Sequence, residues 1–166
     1  MGRQAGEVLA EAYERFGGDL YRYLLLLLGR REHAEDVMQE LLMRLMRPAK
    51  RDPAALQNRA YVFRAARNEA YRAMGRLRRV PASSSDRVLD MRDPRGGSEE
   101  ERVIMQEALL RLPGEQREVA HLKVYMNMTY EEIGRLMDTP PDTAASRYRY
   151  ALEKLRALLA EKEDKP

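Results

Sequence analysis

A chain of 166 residues with 30 basic and 27 acidic side chains and a net charge of +3 carries no cysteine and only two histidines, His33 and His121. That excludes a disulfide framework and cysteine-ligated zinc, and the histidines are too few and too far apart for a metal site of imidazole alone. One or two compact domains are both open at this length, and so mild a net charge says little about partners until its distribution is followed along the chain.

Strand signals are nearly absent and apolar residues recur at helical spacing, so the fold class is all-α. The first helix is predicted over residues 7–28, bent at Gly17-Gly18, with Val8, Leu9, Tyr13, Phe16, Leu20, Leu24 and Leu27 inward and Gly29 as its stop. Its leucine run is far shorter than the roughly 20 apolar residues of a membrane span, and the N-terminus lacks the apolar segment of a signal peptide. The expected location is the cytoplasm. A second helix is predicted over 32–46, with Val37, Leu41, Leu42 and Leu45 inward and Glu35, Asp36, Gln39 and Glu40 outward, and Pro48 and Pro53 bracketing a loop. The third, over 56–78, turns Ala60, Phe63, Ala66, Ala70, Met74 and Leu77 inward. It is strongly basic: between Arg59 and Arg79 stand Arg64, Arg67, Arg72, Arg76 and Arg78, against the single acid Glu69. Acidic residues gather instead around Glu32 to Glu40, at Glu99 to Glu101 and near the C-terminus, which gives the chain separate faces for cationic and anionic partners.

The periodicity then stops. Pro81-Ala82-Ser83-Ser84-Ser85 and Asp93-Pro94-Arg95-Gly96-Gly97-Ser98 read as a linker, which divides the chain into an N-terminal domain at 1–79, a linker at 80–98 and a C-terminal domain at 99–166. Helices are predicted over 99–112 and 115–125. The next starts at Thr129, an N-cap closed into a capping box by Glu132, with Ile133, Leu136 and Met137 on its apolar face. Asp138-Thr139-Pro140-Pro141 cannot continue it, whereas Pro141 suits the first position of a new helix and Asp142 its positive end. Along that last helix Ala144, Tyr148, Ala151, Leu152, Leu155 and Leu159 form one stripe, while Ser146, Arg149 and Tyr150 face away, flanked by Thr143 and Arg147. Such a helix-turn-helix, with hydroxyl and arginine side chains on its outward N-terminal half, fits the major groove, because arginine can contact guanine bidentately and Ser or Thr can serve bases or phosphates. The bland alternative is a helical hairpin with a solvated basic face.

These motifs together resemble a bacterial RNA polymerase sigma factor of the sigma-70 family, extracytoplasmic-function (ECF) group, over nearly the whole chain. The run Ala34-Glu35-Asp36-Val37-Met38-Gln39-Glu40, continuing to Leu45, resembles the family's core-binding helix. Tyr61-Val62-Phe63-Arg64-Ala65-Ala66-Arg67-Asn68 resembles its minus-10 helix. Leu109 to Pro113, Glu115-Gln116-Arg117-Glu118, Tyr130 to Gly134 and Thr143 to Arg156 resemble its minus-35 domain.

The resemblance implies core RNA polymerase and promoter DNA as partners, with Asp36, Gln39 and Glu40 offered to the β′ coiled coil and contacts to β besides. The spacing i, i+3, i+4 lets these three share one patch. For the minus-10 element it implies phosphate neutralisation by Arg64, Arg67, Arg72, Arg76, Arg78 and Arg79, a base-edge bond from Asn68, and stacking of opened bases on Tyr61 and Tyr71, which would serve as well as half-buried core residues. For the minus-35 element it implies Thr143, Ser146, Arg147, Arg149 and Tyr150. Relatives are often held by an anti-sigma protein, and no residue of this sequence marks one. The pattern has departures: Ala65 where a larger aliphatic is usual, Arg72 where the family often has an acid, Asp138 for a common glycine, and Ala144 and Ala145 for the frequent valine and basic residue. The minus-35 sequence therefore does not transfer from a relative. No nucleophile, general base, metal cluster or phosphate loop points to an enzyme or a cofactor. The rival is a stand-alone helix-turn-helix regulator, which predicts tight duplex binding by the free protein, usually as a dimer.

Overall fold

The computed structural model of the chain describes residues 4–77, 87, 89–90 and 96–163, all helix, turn or connecting segment with no strand among them. Among the described residues seven α-helices and a 3-10 helix follow in order: α1 Ala5–Leu28, α2 Arg31–Arg51, a 3-10 helix Pro53–Gln57, α3 Arg59–Leu77, α4 Glu99–Leu110, α5 Gly114–Val124, α6 Tyr130–Met137 and α7 Pro141–Glu163. They form two compact units, Met1–Val88 and Leu89–Pro166. Arg78, Arg79 and most of the expected linker lie outside the described residues.

In the first unit α1, α2 and α3 pack on one another around Tyr23, Phe63, Leu20, Leu24, Leu41 and Leu56. Because α1 is covered by two neighbours, it buries a wider arc than one stripe: Leu24, Leu25 and Leu26 are all inside. Leu9 and Leu27 are only half-buried. Tyr13, expected inside, is 50 % exposed. Its ring lies along the helix against Gly17, where a Cβ would sit 3.1 Å from it. The helix continues unbroken through Gly17-Gly18.

A second correction concerns Pro48, expected in a loop and found inside α2. It has no N–H to donate and crowds the carbonyl four residues back. The last turn persists because Leu45 and Ala49 are buried, and the Asp52 N–H donates to the Pro48 carbonyl at 2.8 Å. A third concerns α3, which starts at Arg59 rather than 56. Leu56 is buried in the 3-10 turn, and the Asn58 side chain caps the helix by accepting from the Tyr61 N–H at 3.3 Å.

Two helix ends are closed by arginines from outside the helix. Neither α1 nor α4 has a basic residue in its last turn, so the terminal carbonyls lack a cation of their own. Arg87 donates to the carbonyls of Leu26 and Leu27, at 3.1 and 3.4 Å. Burial lowers the pKa of its guanidinium from the usual value. Arg117 donates to the carbonyls of Leu109, Leu110 and Leu112, each at 2.9 Å, and so fixes α4 to α5.

The second unit packs α4, α5 and α6 onto α7 around Leu109, Leu112, Val119, Leu122, Met126, Met128, Ile133, Ala144 and Ala151. His121 is also fully buried and stacks on Tyr125. Among the described residues no helix is long and apolar enough to cross a membrane. None of them forms a group of three or more His, Asp or Glu side chains able to hold a metal ion.

Candidate nucleic-acid interface

In the first unit, α2 buries Ala34, Val37, Met38 and Leu41 and leaves Glu35, Asp36, Gln39 and Glu40 exposed. Asp36, Gln39 and Glu40 therefore share one outward patch, as their spacing predicts. On α3, Tyr61, Arg64, Asn68, Tyr71 and Arg72 are all exposed and recur at helical spacing, so they line one stripe. Both tyrosines stand outside the core, at 41 and 45 % exposure. Arg67 lies half-buried at the edge of that stripe. Its guanidinium sits 4.3 Å from the Tyr71 ring centre and donates to the Tyr71 hydroxyl at 3.0 Å.

The other edge of α3 is bound to α2 by charge. The Glu40 carboxylate accepts from Arg76 at 3.0 and 3.3 Å, so two residues read for different partners hold each other. Beside them Glu69, the single acid of the basic helix, is 1 % exposed and pairs with Arg44 of α2 and with Arg72, the latter at 2.6 Å. An open groove of about 480 Å³ runs over this seam, lined by Glu40, Met43, Arg44, Arg47, Glu69 and Arg76.

Glu69 and Arg44 were not legible as site-shaping residues. The signal was present: Glu69 falls at the helical spacing of buried Ala66, Ala70 and Ala73, where an acid needs a partner. At Arg72, where the ECF pattern favours an acid, the carboxylate instead arrives from one turn earlier.

In the second unit the helix-turn-helix is built locally. Thr129 accepts from the Glu132 N–H at 3.1 Å, and the Glu132 carboxylate accepts from the Thr129 N–H at 2.8 Å, the reciprocal pair of a capping box. Asp138 ends α6 in the left-handed region at φ 53°. The turn passes so close to Gly134 that a Cβ there would lie 2.6 Å from the Thr139 carbonyl oxygen. Pro141 then begins α7.

On α7, Ala144, Ala151 and Leu155 are buried, Tyr148, Leu152 and Leu159 half-buried. Tyr148 leans on Tyr130, over which Lys123 is placed at 4.5 Å. Arg149 and Tyr150 are exposed, with the Arg149 guanidinium 5.2 Å from the Tyr150 ring centre. Thr143 and Ser146 are half-exposed. Arg147 is turned sideways into an ion pair with Glu115 of α5, at 3.0 Å. Local pattern does not reveal this partner, since 32 residues separate the two.

Comparison with known proteins accords with both units. Residues 12–80 match the family profile Sigma-70 region 2, and residues 102–155 match Sigma-70, region 4. The ECF RNA polymerase sigma factor SigL of Mycobacterium tuberculosis, in three strains, is 31 % identical over 97 % of each chain. Among solved structures, the sigma factor RpoE of Bartonella quintana, crystallised with the anti-sigma factor NepR, shares the fold with a TM-score of 0.71. It is 24 % identical and covers 94 % of this chain and 98 % of its own.

Proposed function

The chain belongs to the ECF RNA polymerase sigma factors, polymerase-associated factors of transcription initiation, and from that premise we propose how its two units divide the work. The first unit holds core polymerase through the patch of Asp36, Gln39 and Glu40, whose two carboxylates and amide suit arginines on the β′ coiled coil. The exposed stripe of α3 takes the minus-10 element. Arg64, Arg67, Arg72 and Arg76 neutralise phosphates, Asn68 bonds an opened base, and Tyr61 and Tyr71 supply stacking surfaces. The second unit lays α7 in the major groove of the minus-35 element, with Thr143, Ser146, Arg147, Arg149 and Tyr150 toward DNA. Residues 80–98 connect the two. The factor forms no bond itself; synthesis stays with polymerase, in the cytoplasm. An anti-sigma protein, a recurrent partner in the group, would act by covering one of these faces.

The observation that carries this reading is the outward half of α7. Arg149 and Tyr150 stand clear above a buried alanine and leucine stripe, with Thr143 and Ser146 half-exposed beside them, behind a turn that Gly134 and Asp138 make tight. The test is to mix the full chain with sigma-free core polymerase and to follow co-elution and transcription from a pool of random promoters. Co-elution with selective transcription supports the reading and yields the promoter sequence. Failure to bind core, with tight duplex binding by the free protein, replaces it with a stand-alone regulator. The charge reversal Asp36→Arg is expected to abolish co-elution while leaving helicity by circular dichroism unchanged.

A further inference from the structure

Glu115 opens α5 and lies outside every role assigned so far. Its carboxylate sits 3.0 Å from a guanidinium nitrogen of Arg147, in the second turn of α7, with side-chain exposures of 65 % for the acid and 24 % for the arginine. The pair is made by the packing of α5 against α7, not by chain proximity. The acid stands in the first turn of its helix, near the positive end of the backbone dipole.

A guanidinium offers its donors in one rigid planar fork, so the edge given to a carboxylate is not available to a phosphate or a guanine. We propose that Glu115 competes with DNA for Arg147 and thereby sets the strength of minus-35 binding; this rests on the assignment of α7 as the minus-35 reader. To reach DNA, Arg147 leaves one anion for another. The abandoned carboxylate then lies beside a polyanion. An ion pair this exposed is weak, so the competition tunes rather than switches, on the order of two- to five-fold in affinity. The stranded acid also retains a cation when DNA arrives, so fewer ions are released on binding than with a neutral residue in its place.

The test uses polymerase holoenzyme reconstituted with the full chain. One DNA probe is a promoter fragment recovered from the random pool, the other the same fragment with its minus-35 segment scrambled. Glu115→Gln, nearly isosteric and exposed, is expected to tighten binding to the intact fragment about two- to five-fold. It should steepen the salt dependence by up to about one ion. No gain is expected on the scrambled fragment, and none in an Arg147→Ala background. An unchanged affinity for Glu115→Gln overturns the proposal. So does a gain that survives Arg147→Ala, which would mean general repulsion of DNA by the acid. A loss of affinity that requires Arg147 overturns it too, since Glu115 would then be holding the arginine in place for DNA. If Arg147→Ala alone binds like the parent, the assignment of Arg147 to DNA fails instead, a result separate from the other three.

Discussion

Helices α3 and α7 carry the two arginine-rich faces, and they are held in different ways. On α3 the outward residues are tied into the fold: Arg76 to Glu40, Arg72 to buried Glu69, Arg67 to Tyr71. On the outward half of α7, Arg147 pairs with Glu115 of α5 and Arg149 lies against its neighbour Tyr150. A surface that must hold DNA while the duplex opens gains from side chains fixed in advance, because less freedom is lost on binding. A helix that reads an intact major groove can keep its donors mobile and order them on the base edges. Two of the α3 ties, Arg72 to Glu69 and Arg67 to Tyr71, are made within α3, and α2 adds Glu40 to Arg76 and Arg44 to Glu69. The helix we assign to polymerase therefore also sets the posture of one edge of the face we assign to the minus-10 element.

The firmness of α3 is most vulnerable at Glu69. Glu69→Ala removes a buried carboxylate that two half-exposed arginines share, and leaves a void. We expect a loss of about 2–3 kcal/mol in the urea unfolding of the first unit. Glu69→Leu should recover most of that stability, because the freed guanidinium groups regain water. If it also restores promoter opening, Glu69 acts through packing; if opening stays impaired, it acts by positioning Arg72.

On the other side, Arg149→Ala should cost about 1–3 kcal/mol of discrimination at one or two minus-35 positions, read as holoenzyme affinity across single-base promoter variants. A uniform loss over all variants, with a shallower salt slope, would make Arg149 a phosphate contact and bring α7 closer to α3. Thr129→Ala removes the hydroxyl half of the α6 capping box and should lower the stability of the second unit by about 1 kcal/mol in thermal unfolding. The smallest effect has the opposite sign. Asp138→Gly relieves a left-handed backbone at φ 53° and should raise the stability of the same unit by up to about 1 kcal/mol. A destabilising outcome would mean that the Asp138 side chain contributes more than its backbone strain costs.

Features that neighbours in the chain decide are legible from residue order. The capping box of Thr129 and Glu132, the left-handed stop at Asp138 and the start at Pro141 are local, so the helix-turn-helix could be read to within a residue. The spacing of Asp36, Gln39 and Glu40, and of Tyr61, Arg64 and Asn68, likewise fixed which residues share a face, since helical periodicity is a property of the backbone. Tertiary structure alone decided the rest. Pro48 stays helical because Leu45 and Ala49 find a core to enter. Tyr13 stays 50 % exposed although helical spacing sets it on the arc of buried Gly17, Leu20 and Leu24. The partners of Arg44, Arg76 and Arg147 come from Glu69, Glu40 and Glu115, each more than two dozen residues away. Arg87 finds its carbonyls at the end of α1 across some sixty residues. Charge on a surface pairs by proximity in space, and local pattern carries no record of which helix ends will meet.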